Sequence, residues 1–393
     1  MKLKRIAVIV CIVTAAFTMT GCWNYRELET LNLVAGFSID KGTGGAGYHL
    51  TFEILDESGG GSNGGGNGGG SGSGIQTKLI ESDGPTIFDA VRNTLLKTDK
   101  KLYFGDCKAV ILSKQIADEG VAPLFDWISR DSEPRLTADL FVSEDATAEN
   151  ILKQCSPVNP VTSYALDKIV ADNPAYISKA PYMQIYKADD ALKRHGQSLI
   201  LPALAVDKTQ SGTPPKLAGT AVFKRDKLLG FLKSDESKYL LFIQNQVNGG
   251  LLLVNAESSS PDITLEIKRS ETKVTVLSEG RSPKIGLSVK TEVALGEMKT
   301  TADFASESGI AKLEQDADRT LADSMHALIT EVQNEYDSDI FGFGSAIYQN
   351  DPNYWNTISP HWDNLFKNLQ VVISTDVVIK NTALTQSNVK ARD

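Results

Sequence analysis

Cysteine is scarce in this chain of 393 residues, and the few cysteines lie far apart. Two of the four fall within the first 22 residues, and the other two, Cys107 and Cys155, are 48 positions apart with no Cys-x-x-Cys pair. This pattern excludes a disulfide-rich scaffold and a metal site built from cysteines. Two interpretations of Cys107 and Cys155 stay open, a single disulfide or two separate buried thiols.

The sequence also lacks the short motifs that accompany common catalytic chemistries. It has no Gly-x-Ser-x-Gly turn, no His-Glu-x-x-His motif and no phosphate-binding loop of the Walker type. No carboxylate pair stands out, and the histidines do not have the spacing of metal ligands: His49, His195, His326 and His361. We therefore predict no catalytic residue, no bound metal and no cofactor, and we expect that the protein is not an enzyme.

Positive charge is in deficit. The chain has 40 Lys and Arg against 49 Asp and Glu, which gives a formal net charge of −9. An acidic protein repels phosphate backbones, so we do not expect nucleic-acid binding. Adhesion to anionic lipid through a basic patch is disfavoured for the same reason.

The N-terminal residues have the pattern of an export signal. Three of the first five residues are basic, and residues 6–19 form an uncharged run that is shorter than the roughly 20 residues of a membrane-spanning helix. The run ends in Thr-Gly before Cys22, as in a bacterial lipobox. We predict a signal peptide at residues 1–21 and lipidation of Cys22, since stable anchoring takes more than one acyl chain. An uncleaved membrane anchor is the alternative.

The length of the chain suggests two or three domains. We predict an N-terminal α/β domain over residues 22–207, a middle domain with a hairpin over 208–262 and a C-terminal α+β domain over 263–393. Residues 59–74 are almost entirely glycine and serine, which predicts a flexible surface loop in the first domain. The fold class is therefore α+β, with mixed sheets and packed helices.

In the N-terminal half, alternating apolar residues predict strands at 33–39 and 48–55. After Pro85 the strand–helix–strand spacing favours a sheet covered by helices, and Ile87, Val91 and Leu95 are expected on one helix face. Several prolines then punctuate the segment from 157 to 202. Further strands are expected at 75–81, at the apolar end of 102–113 and at 135–142, and further helices at 116–128, 148–152 and 182–194.

The C-terminal half contains a predicted hairpin at 217–232, whose polar turn lies at 224–227, and a long amphipathic helix at 310–336. Trp355 and Trp362 are expected in the core rather than on an aromatic binding face. A short helix is expected at 239–243, and strands at 263–267, 274–276, 285–295 and 369–380. The long helix at 310–336 has apolar residues at steps of three and four: Ile310, Leu313, Ala317, Leu321, Met325, Leu328, Val332 and Tyr336.

The segment at 21–40 resembles the opening of the Ger(x)C family, the C-subunit lipoproteins of spore germinant receptors. In that family a lipidated cysteine precedes a tryptophan, an Arg-Glu-Leu stretch and a strand that ends in Gly-x-x-Ile-Asp. Here these are Cys22, Trp23 and residues 26–28 and 36–40. Further motifs follow in the family's order: 102–105 with Lys108, Arg130 with Glu133 and Arg135, 219–224 with 230–232, and 339–344 with Trp355 and Trp362.

This resemblance implies a three-domain α+β lipoprotein on the outer face of the spore inner membrane. It implies a non-catalytic subunit that works with membrane-embedded A-type and B-type subunits to sense small germinants. The alternative is a lipid-anchored solute-binding protein or cell-wall enzyme that acts alone. A stand-alone protein predicts a cleft with convergent polar groups and perturbed pKa values, whereas a receptor subunit predicts exposed apolar or charged patches.

Overall fold

The computed structural model describes residues 4–6 and 30–381, with gaps at 43, 45–46, 57–75, 132, 146, 155–158, 207–212, 256–261, 278–281 and 300–305. Cys22, the glycine-rich loop at 59–74 and Cys155 lie outside the described residues. Cys107 is a free, buried cysteine, and burial raises the pKa of its thiol to about 12. Of the two interpretations, the structure therefore shows a separate buried thiol at Cys107.

Nine strands form one large mixed sheet: β1 (Leu31–Lys41), β2 (Tyr48–Asp56), β3 (Gln76–Gly84), β4 (Lys101–Tyr103), β5 (Ala109–Leu112), β6 (Asp139–Ser143), β7 (Ile200–Ala205), β8 (Lys216–Lys224) and β9 (Lys227–Lys233). Their order is β3-β2-β1-β5-β6-β7-β8-β9, and β4 pairs with the start of β1. The central strands β1, β5, β6 and β7 are parallel, while the outer pairs are antiparallel. Every residue of β5 and β6 is buried, because helices cover both faces of the sheet.

Six helices pack on this sheet: α1 (Ile87–Asn93), α2 (Lys114–Glu119), α3 (Ala122–Arg130), α4 (Glu149–Leu152), α5 (Thr162–Tyr176) and α6 (Ile185–Lys193). Apolar side chains of α1, α2, α3 and α6 share a core with one face of the sheet. Those of α4 and α5 share a smaller core with the other face. The N-terminal part of the chain is thus a three-layer arrangement, in agreement with the predicted α/β pattern.

A second sheet has four strands in chain order: β10 (Gly250–Val254), β11 (Ile263–Val276), β12 (Lys284–Met298) and β13 (Gln370–Asn381). The first two pairs are antiparallel, and β12 pairs with β13 in parallel. The helices that accompany it are α7 (Ser234–Ile243), α8 (Glu307–Glu331), α9 (Phe343–Asn350), α10 (Pro352–Ile358) and α11 (Trp362–Lys367). The α+β class and the multi-domain character are confirmed.

The long helix α8 confirms the apolar stripe predicted for this region. The stripe positions from Leu313 to Leu328 are buried, and a π-helical turn at Val332–Tyr336 extends the helix to its predicted end. Two acids of α8 also reach the edge strand β13. Asp318 accepts the N–H of Val377 at 2.9 Å, and Glu314 accepts that of Ile379 at 2.8 Å. These contacts satisfy edge groups that would otherwise be free to pair with another chain.

The segment at 208–262 divides between the two sheets. Its predicted hairpin is confirmed as β8 and β9, but these strands continue the large sheet beside β7. Its last strand, β10, belongs to the second sheet. Val222 and Leu232 of the hairpin pack in the same core as the second sheet. The segment therefore joins the two sheets, and the predicted domain boundaries stay a prediction.

Two local predictions are wrong, and one helix was not predicted. Leu95 is half exposed in a short 3₁₀ helix rather than on the buried face of α1. The helix predicted at 116–128 is two helices, because Gly120 adopts a φ of 133° that ends α2. Helix α5 has no counterpart among the predicted elements, since Pro174 favours a break. In the structure Pro174 lies in the last turn of α5, and the helix continues past it to Tyr176 although the proline removes one i→i−4 hydrogen bond.

Candidate functional site

The predicted anchor residue Cys22 lies outside the described residues, but the structure places the strand that follows it. Strand β1 begins at Leu31, nine positions after Cys22. A segment of this length spans at most about 30 Å when fully extended. The start of β1 is therefore the part of the folded body that the predicted lipid would hold nearest to a membrane.

Exposed apolar side chains lie within the segment 95–103, whose end pairs with the start of β1, and we call them the anchor-end rim: Leu95, Leu96 and Tyr103. Leu96 is 85% exposed, and the other two are more than 40% exposed. This segment meets β1 where Leu33 pairs with Tyr103 and where the Asn32 amide donates to Thr98 Oγ1 at 2.9 Å. Among the described residues, none of the helices is both long and apolar enough to pass through a bilayer.

The residues of the N-terminal motifs meet in the core of the large sheet. The ring of Phe37 lies 5.8 Å from that of Phe104 and 6.0 Å from that of Trp127. Gly36 touches α5, where an added Cβ would lie 2.1 Å from Ser163 Oγ. The motif glycine is thus required by a close approach of backbone and helix.

Two buried carboxylates hold helices onto the sheet. Asp40, the last motif residue of β1, accepts the backbone N–H groups of residues 148–149 at 2.6 and 2.9 Å. Glu53 on β2 accepts those of residues 162–163, both at 2.8 Å. These N–H groups begin α4 and α5 and have no partner within the helix. Burial raises the pKa of both carboxyls, and the hydrogen bonds only partly offset that rise.

A third buried carboxylate, Asp339, organises the motif at 339–344. It accepts the N–H groups of Gly342, Phe343 and Gly344 at 2.9, 3.2 and 2.7 Å. Gly342 has a φ of 82°, which favours glycine at this turn. Burial raises the pKa of Asp339 to about 6. Asp339 is thus the centre of a tight turn before α9.

One cleft lies where the hairpin meets the C-terminal part, and it has a volume of about 910 Å³. Four segments contribute to its lining, within 191–199 and at 224–226, 337–339 and 359–364. Lys224, the last residue of its motif, lies 3.0 Å from Asp337 Oδ2 and 3.1 Å from Asp363 Oδ2. Partial burial acts to lower the pKa of Lys224, but the two carboxylates outweigh it and raise the pKa.

A second cleft of about 770 Å³ lies between α1 and α3 and contains the arginine-acid motif. Arg130 pairs with Asp126 at 2.9 Å on the same helix. Glu133 binds the ammonium of Lys101 and lies 4.0 Å from the guanidinium of Arg92. Arg130 and Glu133 are therefore each paired with a charge outside the motif, and the sequence alone did not indicate those partners.

Trp355 and Trp362 are buried, as predicted for core residues. Their rings lie 5.3 Å apart in an edge-to-face arrangement, and Trp362 also contacts the ring of Phe366. The two tryptophans belong to the core around α8 and the second sheet. They do not form an exposed aromatic face.

One buried carboxylate is not paired in this way. Asp139, at the start of β6, is fully buried, and neither of its carboxylate oxygens has a hydrogen-bond partner among the described residues. Burial raises its pKa to about 8, and the nearby charge of Asp167 adds to the rise. The folded protein therefore holds a proton on Asp139 that the unfolded chain releases near pH 4.

We expect Asp139→Asn to stabilise the protein in a pH-dependent way. A carboxyl with a raised folded pKa contributes stability below its unfolded pKa and loses it as the pH rises through its folded pKa. The neutral amide removes that loss, so the variant should be more stable by roughly 2–4 kcal/mol at pH 8 and about equal near pH 4. Thermal unfolding at both pH values measures this, and the exposed Asp172→Asn serves as control. An equal effect at the two pH values would contradict the assignment.

Sequence reasoning missed one group of potential ligands. The histidines lack ligand spacing along the chain, and three of the four are exposed: His195, His326 and His361. His49, however, lies with Glu81 and Glu149, and one nitrogen or oxygen atom from each residue falls within 4.8 Å of the others. The three residues come from β2, β3 and α4, so no local motif could have indicated the group.

Comparisons with known proteins span nearly the whole chain. A family model described as "Spore germination protein N-terminal domain" matches residues 24–206. Another, described as "Spore germination B3/ GerAC like, C-terminal", matches residues 218–383.

Individual proteins agree with these matches. The chain is 23% identical to spore germination protein KC of Bacillus subtilis (strain 168) over 403 residues, with 98% of each chain covered. It is 26% identical to spore germination protein B3 of the same organism, with 88% of this chain and 90% of that protein covered. The crystal structure of the GerBC protein superposes with a TM-score of 0.56 at 22% identity, over 90% of this chain and 100% of that chain. The structural match shows a shared fold.

Proposed function

Because the chain belongs to the Ger(x)C family of spore germination proteins, we propose that it is a non-catalytic subunit of a nutrient germinant receptor. In this proposal a lipid on Cys22 holds it at the outer face of the spore inner membrane. The observation that carries the proposal is the pair of family matches at 24–206 and 218–383. Together they cover both sheets, so the likeness is not confined to one part of the fold.

The chemistry of the larger cleft supports a role without catalysis. Lys224 is held between two carboxylates, and the carboxylate of Asp339 is occupied by three backbone N–H groups. Nucleophilic catalysis requires a nucleophile within hydrogen-bond reach of a base. Lys224 and Asp339 instead have partners within the fold, as expected of a structural joint between two sheets.

The anchor-end rim supports attachment at a membrane surface. Transfer of leucine and tyrosine side chains from water to the interfacial region of a bilayer is favourable, because it lowers their free energy. A lipid on Cys22 would bring Leu95, Leu96 and Tyr103 to that region, because β1 starts only nine positions later. The lipid and the anchor-end rim would then contact the membrane from the same side of the folded protein.

Contact with integral-membrane partners finds support in an exposed apolar patch on the second sheet. Leu251 and Leu253 of the edge strand β10 are 47% and 43% exposed. Tyr176 and Ile177 at the end of α5 are exposed too, and the Ile177 carbonyl approaches Gly250. Exposed apolar patches of this kind mark interaction sites more often than isolated residues do. A-type and B-type receptor subunits are the partners that the proposal assigns.

The direct test is co-purification from spores. A C-terminally tagged copy, solubilised from spore membranes in mild detergent, should bring A-type and B-type subunits with it. An unrelated tagged lipoprotein of the same membrane is the control. Deletion of the chain should abolish the response to at least one nutrient in a strain that lacks related receptors. A strain that still germinates with every nutrient, together with the absence of both partners, would refute the receptor role.

A further inference from the structure

We propose that His49, Glu81 and Glu149 form a binding site for a divalent transition-metal cation, with Zn²⁺ as the preferred ion. One potential ligand atom from each residue lies within 4.8 Å of the other two. Zinc bound at about 2.0–2.2 Å from nitrogen and oxygen ligands separates those ligands by about 3–4 Å. Small side-chain movements would therefore bring the three atoms to a common ion. The inference does not depend on the receptor role.

The backbone brings these residues to one face of the sheet. In the antiparallel ladder of β2 and β3, His49 pairs with Asp83 and Thr51 pairs with Glu81. Directly opposite residues share a face, and so do residues two apart on one strand. His49 and Glu81 are thus diagonal neighbours on the face that α4 covers. Glu149 is the first residue of α4, and Asp40 holds its backbone N–H at 2.9 Å.

Asp83 orients the imidazole in the way that metal-binding histidines require. His49 Nδ1 lies 2.9 Å from Asp83 Oδ1. A proton on Nδ1 that is donated to this carboxylate leaves the lone pair of Nε2 available to a cation. A carboxylate behind the ligating imidazole is a recurrent feature of zinc sites, and it fixes both the tautomer and the ring orientation.

A separate observation indicates that a polar partner is missing from this face. Thr51 is fully buried, and its Oγ1 has no hydrogen-bond partner among the described residues. It lies two residues after His49 and directly opposite Glu81. Buried hydroxyls are almost always paired. A water molecule bound to a cation in the cluster would supply the partner that the protein does not.

In the structure the ammonium of Lys153 supplies positive charge beside the two carboxylates that would bind the cation. Its ammonium contacts the carboxylate of Glu149 and lies 3.7 Å from that of Glu81. The side chain is 45% exposed, so it can turn toward solvent when an ion binds. The pairing explains how two carboxylates stay close together without a metal. It also means that ion and ammonium compete for the same oxygens.

The donor set determines the class of ion. Mg²⁺ and Ca²⁺ favour sites made of oxygen ligands only. An imidazole nitrogen with two carboxylates suits Zn²⁺ or Mn²⁺ instead. The bound ion would join the β2–β3 hairpin to α4, and it would add to the link that Asp40 already makes.

Isothermal titration of the full-length chain in mild detergent, stripped with EDTA, tests the site. Zn²⁺ should bind with a stoichiometry of one, and tighter than Mg²⁺ or Ca²⁺. His49→Ala and Glu149→Gln should each weaken binding at least ten-fold, and Asp83→Asn should weaken it by roughly 10–100-fold. Lys153→Met should strengthen binding several-fold, because it removes the competing ammonium. His361→Ala, at an exposed histidine outside the cluster, should leave the affinity unchanged.

Folding controls keep the outcome clear. Each variant is first compared with the parent chain in EDTA by thermal unfolding, and Glu81→Gln replaces any variant that does not fold. Equal Zn²⁺ affinity in the parent and in the folded ligand variants would overturn the proposal. So would an unchanged or weaker affinity in Lys153→Met, since the cluster would then be an ion-pair network only. Either result leaves the co-purification test of the receptor role unaffected.

Discussion

Replacing Cys22 with alanine should remove the chain from the spore membrane and impair germination. Each methylene that a lipid chain buries contributes about 0.8 kcal/mol, so the loss of two acyl chains removes roughly 10 kcal/mol or more of membrane affinity. The anchor-end rim is too small to compensate for such a loss. Fractionation of spore lysates measures the first effect, and the fall in optical density after nutrient addition measures the second.

Two controls make this result specific. Cys107→Ala alters a buried thiol far from Cys22 in the sequence and should keep both the membrane location and the germination response. Cys22→Ala can retain the uncut apolar segment at 6–19, so a second variant carries a cysteine-free cleavable signal in place of residues 1–22. If that variant stays membrane-bound with full germination, protein partners hold the body without lipid, and the anchor prediction is wrong.

Asp339→Ala should be among the most destabilising single substitutions in the chain. It leaves the N–H groups of Gly342, Phe343 and Gly344 without their acceptor in a buried turn. Each unsatisfied buried group costs about 1–3 kcal/mol, so we expect a total loss of about 3–5 kcal/mol. The fluorescence of Trp362, which lines the same cleft as Asp339, follows urea unfolding of the protein without its anchor segment.

A matched control is Asp118→Ala on the exposed side of α2, which should change stability by less than about 0.5 kcal/mol. Asp339→Asn should cost less than Asp339→Ala, because the amide oxygen still accepts hydrogen bonds. A loss below about 1 kcal/mol for Asp339→Ala would show that water replaces the carboxylate. The turn would then not depend on Asp339.

Patterns with a short period were predictable from the sequence. The hairpin at 217–232 follows from apolar runs on either side of a polar turn, and α8 follows from its apolar stripe. The same local logic fails at Leu95, where the chain turns into a 3₁₀ helix before the stripe is complete. It also fails at Pro174, because the loss of one i→i−4 hydrogen bond does not prevent α5, which includes this proline.

The motif residues show a different limit. Resemblance to a family identified residues 36–40 and 339–344 as motifs. It did not indicate the structural roles of Asp40 and Asp339 within them. The Asp40 carboxylate binds backbone groups 108 and 109 positions away, and no pattern along the chain contains that information. Asp339 acts within five residues, yet its role depends on burial by elements that lie far apart in the sequence.

The sequence by itself determined the features that depend on neighbouring residues: the alternation of strands, the stripe of α8 and the motifs of the family. The export signal and the lipidation of Cys22 depend on neighbouring residues too, and they stay predictions. The tertiary structure alone decided which distant residues meet. In the tertiary structure the hairpin pairs with β7 and so extends the large sheet. His49, Glu81 and Glu149 come together from two strands and a helix. The physical reason is that a signal or a periodic face is specified within one segment. A site is specified by strand register and helix packing, which depend on the whole chain.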